Sequence, residues 1–168
     1  MTNRRNTLFG LGAATAILAS LRGLFTSQSA QAAQSAHAYP VTHLDVEWKK
    51  LLKPEQFRIL RQAGTEYPGS SVLNNEKRAG TFACAGCAQP LFSSKTKFES
   101  GTGWPSFWQP LYKAVVEDTD TTLFMKRVEV LCSNCGGHLG HVFDDGPQPT
   151  GLRYCMNGAA MNFRQAST

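Results

Sequence analysis

Gly151-Leu152-Arg153-Tyr154-Cys155-Met156-Asn157-Gly158 alternates apolar and polar side chains with the two-residue period of a half-buried strand. Leu152, Tyr154 and Met156 fall on one side, toward a core; Arg153, Cys155 and Asn157 fall on the other. Outward from this segment the same texture recurs. Short apolar runs at Thr81-Phe82, Pro90-Leu91-Phe92, Ala114-Val115-Val116, Leu123 to Leu131 and His141-Val142-Phe143 are separated by Gly and Pro. Runs of this length, so punctuated, predict antiparallel strands. Upstream the pattern becomes helical. Thr42-x-x-Asp45 reads as a capping box for a short helix through Trp48, Leu51 and Leu52. Pro54 opens a second helix carrying Phe57, Leu60 and Arg61, with Gly64 as its stop. The expected domain, residues 42–168, is mostly β, with small antiparallel sheets and short helices at its N-terminal end.

The chain has 168 residues, 42% hydrophobic and 17% charged, which excludes a disordered or collagenous protein. No apolar run approaches the roughly 20 residues of a membrane-spanning helix. The formal charge of +5 includes Arg4, Arg5 and Arg22; without them 14 basic residues face 12 acidic ones, too little to argue for a nucleic-acid partner.

Those arginines belong to residues 1–32, which have the form of a secretory signal. A basic start precedes a mildly apolar stretch from Leu8 to Leu21, then small residues with Ala30-Gln31-Ala32 and Ala36-His37-Ala38 as cleavage candidates. Paired Arg4-Arg5 resembles a twin-arginine signal, which predicts export of a folded protein to a bacterial periplasm, with no membrane insertion once the signal is removed. The alternative is an N-terminal amphipathic helix packed on the domain. Residues 33–41 read as a linker.

There are five cysteines, an odd number. Cys84-Ala85-Gly86-Cys87 and Cys132-Ser133-Asn134-Cys135 are both C-x-x-C. Two such turns can offer four thiolates to one ion in the tetrahedral S₄ set that suits zinc. Gly86, Asn134 and Gly136 tolerate the backbone angles that such knuckles need. The pairs lie 44 residues apart, so the ion would tie two distant hairpins together, and with no open position it would be a staple. Redox-active disulfides, structural disulfides and an iron site are the alternatives.

Cys155 is left over. Along a strand Arg153 lies about 6.8 Å away, near enough to favour the thiolate. A buried inert cysteine is the competing reading. Asn157 adds an amide that can orient an oxygen or a histidine. His138 and His141, three apart in a glycine-rich turn, could face a common cleft as general acid or base, or serve as metal ligands. Ser100-Gly101-Thr102-Gly103-Trp104-Pro105-Ser106-Phe107-Trp108 reads as an irregular loop presenting an aromatic face. Trp104 suits the methyl and polarised sulfur of a thioether-like ligand, whereas core packing suits Trp108.

Taken together, Gly103-Trp104-Pro105-Ser106-Phe107, the two C-x-x-C pairs, Gly137-His138-Leu139-Gly140-His141-Val142-Phe143, Asp145-Gly146-Pro147-x-Pro149-Thr150-Gly151 and Arg153-Tyr154-Cys155-x-Asn157 resemble the B-type peptide methionine sulfoxide reductases. The resemblance runs from about Val46 to Phe163. It implies two antiparallel sheets and a structural zinc ion on Cys84, Cys87, Cys132 and Cys135. It implies reduction of the R epimer of methionine sulfoxide in oxidised proteins, with Cys155 as nucleophile. Trp104 would hold the substrate methyl; His138, His141 and Asn157 would bind and protonate the oxygen; Arg153 and Asp145 would support them. Many members of that family carry a resolving cysteine where this chain has Thr102. With four cysteines on zinc no internal partner remains for Cys155, so an external thioredoxin-like protein or small thiol is expected to recycle it. A smaller departure is Gly158, where serine is commoner. A zinc-stabilised binding module without chemistry, and an exported thiol–disulfide oxidoreductase using the C-x-x-C pairs, are the alternatives.

Overall fold

The computed structural model describes residues 38–120 and 127–167. The signal expected at 1–32 and all but the end of the linker lie outside the described residues, as does the stretch from Leu123 to Lys126.

Among the described residues two helices come first. α1 (Asp45–Leu51) begins later than the expected box, because the Glu47 carboxylate, not Thr42, caps it by accepting from Leu44 N–H at 2.8 Å. α2 (Pro54–Gln62) starts on its proline and ends with Ala63, not Gly64, in the left-handed conformation at φ 49°. Their buried residues, Trp48 on α1 and Phe57, Ile59 and Leu60 on α2, face inward. The Arg61 guanidinium lies over the Trp48 ring and donates to the Cys135 carbonyl at 3.0 Å, which joins α2 to the second cysteine turn.

Nine strands follow among the described residues: β1 (Gly80–Cys84), β2 (Pro90–Ser93), β3 (Lys97–Phe98), β4 (Ser106–Phe107), β5 (Val115–Asp120), β6 (Arg127–Cys132), β7 (His138–Phe143), β8 (Arg153–Met156) and β9 (Met161–Gln165). They form a three-stranded sheet in the order β2-β1-β9 and a six-stranded sheet in the order β3-β4-β8-β7-β6-β5, with every pairing antiparallel. The expected mostly-β architecture with two sheets is present. Aromatic rings fill the space between them. Phe92 of β2 stacks on Phe107 of β4 at 4.4 Å, Phe82 of β1 meets Phe107 edge-on at 4.9 Å, and all three rings are fully buried. Tyr154 and Met156 of β8 join this core, as the alternation predicts. Trp108 does not. It is only half-buried, and the core position belongs to its neighbour Phe107.

The other face of the larger sheet carries the chemistry. Directly paired residues of antiparallel strands share a face, and the register aligns Ser106 with Cys155, Cys155 with His141, and His141 with Glu129. His138 and His141 lie in β7, not in a turn. Residues three apart on a regular strand point to opposite faces, but β7 is bulged: Val130 pairs with Gly140 and Leu131 with His138, leaving Leu139 extra. The extra residue restores parity and brings both imidazoles to one face, 5.4 Å apart. Gly140 is needed beside it, since a Cβ there would sit 2.1 Å from the Cys155 carbonyl oxygen.

Candidate active site and cysteine cluster

Cys84 ends β1 and Cys132 ends β6, so the two C-x-x-C turns grow from different sheets. Each closes with a hydrogen bond to its first cysteine: Ala88 N–H donates to Cys84 O at 2.9 Å, and Gly136 N–H to Cys132 O at 2.8 Å. The left-handed residues are Ala88 and Gly136, which follow each pair, and not Gly86 or Asn134. All four Sγ atoms lie within 4.8 Å of one another, with Cys84–Cys135 at 3.7 Å and Cys87–Cys132 at 3.5 Å. Zn–S bonds of about 2.3 Å give a tetrahedral edge of about 3.8 Å, which these contacts match. The donor chemistry agrees. Thiols so close share hydrogens, which pushes Cys84 and Cys135 up and holds Cys87 and Cys132 down. Only a cation between them would let all four ionise together. The residues fit a tetrahedral metal ion.

Cys155 stands outside this cluster, half-buried at the floor of a cleft of about 160 Å³. Trp104, His141, Phe143, Asn157 and Arg127 line the same cleft. Burial pushes the Cys155 thiol up; Arg153, and whatever hydrogen Thr102 donates from 3.9 Å, offset only part of that. Arg153 does favour the thiolate, as expected, but burial outweighs it. Arg153 is itself buried, gripped by Asp145 through bonds of 2.7 and 2.8 Å and packed on the Phe143 ring at 4.4 Å. Asp145 in turn is held below the usual carboxylate range by that guanidinium.

Of the two histidines only His141 lines the cleft. Its Nε2 lies 2.9 Å from Asp120, and burial lowers its pKa. The His138 ring sits behind it, because Nδ1 is engaged by Glu129 at 2.5 Å. Asn157 is anchored at both ends of its amide: Oδ1 accepts from Glu66 N–H at 2.9 Å and Nδ2 donates to Leu139 O at 3.1 Å.

Glu66 was not foreseen, and it binds the site together. Its carbonyl accepts from Trp104 Nε1 at 3.2 Å, and its buried carboxylate accepts from Gly158 N–H at 2.6 Å and Ala159 N–H at 2.9 Å. A single acid in the loop after α2 has no periodicity to announce it. Glu129, Asp120 and Arg127 were also missed. Glu129, a charge within the apolar run Val128–Leu131, was the one visible signal for them.

This arrangement, a solitary sulfur on a polar sheet face with imidazole, amide and indole around it, sits in a chain that belongs to the SelR domain family, whose match covers residues 52–165. Curated relatives carry a more particular name. The chain is 56% identical over 128 residues to the peptide methionine sulfoxide reductase MsrB of Leptospira interrogans, spanning 76% of this chain and 98% of that protein. It is 58% identical over 119 residues to the MsrB of Methanosarcina barkeri (70% and 84%), and 52% over 124 residues to that of Agrobacterium fabrum (73% and 92%).

Proposed function

We propose that this chain is an oxidoreductase that reduces the R-sulfoxide of methionine in oxidised proteins, with Cys155 as nucleophile. The observation that carries the reading is the separation of five cysteines into a four-sulfur cluster and one sulfur opening on a cleft. Trp104 offers its ring to the substrate methyl. His141 and Asn157 receive the sulfoxide oxygen, with His138 oriented behind them by Glu129. Asp145 fixes Arg153 in support of the Cys155 segment. The Cys155 thiolate bonds to the substrate sulfur as the oxygen is protonated; the hydroxyl then passes to the Cys155 sulfur, breaking the substrate S–O bond and the new S–S bond, and methionine leaves. The substrate gains two electrons and Cys155 loses two, ending as a sulfenic acid. An external thiol then attacks Cys155, releasing water and leaving a mixed disulfide, and a second thiol frees the cysteine. Thr102 has no sulfur with which to close an internal disulfide.

The cysteine cluster would hold zinc, supplying a closed structural crosslink between the sheets and no open coordination position. Residues 1–32 would direct export through the twin-arginine route, loading the metal in the cytosol before the folded domain crosses to the periplasm. Rerouting the mature domain through an unfolded-chain route should then lower its zinc content; equal loading would contradict that link.

The deciding experiment supplies separate R- and S-sulfoxide peptides and a dithiol to purified protein. Only the R peptide should be consumed, and Cys155→Ser should abolish turnover while leaving metal content and folding intact. A binding module would be indifferent to that change, and an oxidoreductase on the paired cysteines would survive it. With substrate and no reductant, mass spectrometry should find about +16 Da on Cys155; a disulfide to Cys155 would refute the one-cysteine cycle.

A further inference from the structure

Beside Cys155 runs an unbroken line of hydroxyls. Thr102 Oγ1 lies 3.9 Å from Cys155 Sγ and 2.8 Å from Ser100 Oγ; Ser100 Oγ lies 2.8 Å from Ser106 Oγ; Ser106 Oγ donates to the Trp104 carbonyl at 3.1 Å. Ser106 is fully buried and paired in register with Cys155 across β4 and β8. The carbonyl at the far end has no hydrogen to give, so it fixes the direction of every bond before it. Ser106 spends its one hydrogen on Trp104 and must accept from Ser100. Ser100 spends its hydrogen on Ser106 and must accept from Thr102. Thr102 then presents only lone pairs to the sulfur.

We propose that Thr102, Ser100 and Ser106 form a one-way hydroxyl chain, polarised by the Trp104 carbonyl, that holds Cys155 as the thiol in the resting enzyme. The inference rests on Cys155 being the nucleophile. A sulfur donating S–H into Thr102 completes the chain, whereas a thiolate would face an oxygen lone pair. Ionisation then requires the hydroxyls to turn over. The line ends on an amide carbonyl, which cannot take up a proton, so the chain reorients and does not conduct. A protonated resting state suits a cysteine whose sulfenic acid has no internal thiol to rescue it, because oxidation follows thiolate character. Burial of the sulfur pushes the thiol up on its own account, and a Thr102 hydrogen turned to it would offset part of that; the chain withholds that hydrogen.

Cutting the chain should release the brake. In Ser100→Ala, the Thr102 hydrogen loses its acceptor and turns to the sulfur. In Ser106→Ala, Ser100 turns its hydrogen to Thr102, which again frees the Thr102 hydrogen for the sulfur. Neither serine bonds to Cys155. The assay is iodoacetamide alkylation of the reduced, metal-loaded full chain, read as adduct on the Cys155 peptide between about pH 6 and 10. Arg153, Asp145, His141 and Arg127, the charged and titratable groups around Cys155, are the same in every variant. Each serine variant should alkylate about three- to tenfold faster near pH 7, as a charge-assisted donor to the thiolate implies. Adding Thr102→Val to either should return the rate to that of Thr102→Val alone. A general loosening of the loop would leave the gain in place. Rates in both serine variants at or below wild type, or a gain that survives loss of the Thr102 hydroxyl, would overturn the proposal. Because alkylation needs no sulfoxide, an inactive wild type with this alkylation pattern would sink the assigned reaction and not the chain.

Discussion

Replacing Glu66 by alanine removes a buried carboxylate that accepts two backbone hydrogen bonds, from Gly158 at 2.6 Å and Ala159 at 2.9 Å. Hydrogen bonds to an ionised group contribute about 1.5–3 kcal/mol each, so Glu66→Ala should cost about 3–6 kcal/mol. That is a large part of the ~5–15 kcal/mol that holds a domain together. Glu66→Gln keeps the shape and one acceptor oxygen but turns an amide nitrogen onto the other backbone N–H. It should cost about 1.5–3 kcal/mol, or roughly 1 M in urea midpoint with an unchanged slope. Urea unfolding followed by tryptophan fluorescence measures both. The segment that Glu66 anchors carries Asn157, and its carbonyl holds Trp104. Glu66→Gln should therefore raise KM for the sulfoxide more than it slows alkylation of Cys155. Midpoints of both variants equal to wild type would refute the account of this carboxylate.

Other consequences can be checked independently. Phe107→Ala empties the ring layer between the sheets and should cost about 3–5 kcal/mol by denaturant unfolding. At Gly158 a Cβ would lie 1.9 Å from Ser71 Oγ and 2.5 Å from Ser71 Cβ, so Gly158→Ser should cost about 1–3 kcal/mol and Ser71→Gly should restore it. Chelating the metal proposed for the cysteine cluster should lower the melting temperature by about 10 °C or more, because it would untie two sheets at once; an unchanged melting curve in metal-free protein would contradict the staple. Burial lowers the pKa of His141 below its ordinary 6.5 and raises that of Cys155 above its ordinary 9.0. If thiolate and imidazolium react together, single-turnover kcat/KM should be flat between those values. It should fall below the first as thiolate is lost, and above the second as imidazolium is lost; a limb inside that range would contradict the pairing.

The strand through Cys155 was legible because its pleat alternates without exception, and the four clustered cysteines because C-x-x-C is a local motif whose geometry travels with it. The sulfur partners across the two turns, by contrast, depend on how β1 and β6 meet. The histidines were legible as residues but not as geometry: a spacing of three reads as a turn unless the bulge at Leu139 is known, and a bulge leaves no residue signature. Glu66, Asp120 and Glu129 act through contacts between segments far apart in the chain. Arg153 was legible in part: it favours the thiolate as its place on the strand implies, but Asp145 also holds its guanidinium, and desolvation of the sulfur, which depends on the fold around it, is the larger effect.

The bulge at Leu139 has a corollary. Straightening β7 with every residue retained would turn one imidazole to the opposite face, because three positions would again separate the rings. Deleting Leu139 together with the bulge would instead leave the histidines two positions apart and still side by side. What that deletion would remove is a fully buried leucine. A register slip therefore threatens the cleft, whereas a shortened strand is felt in the interior.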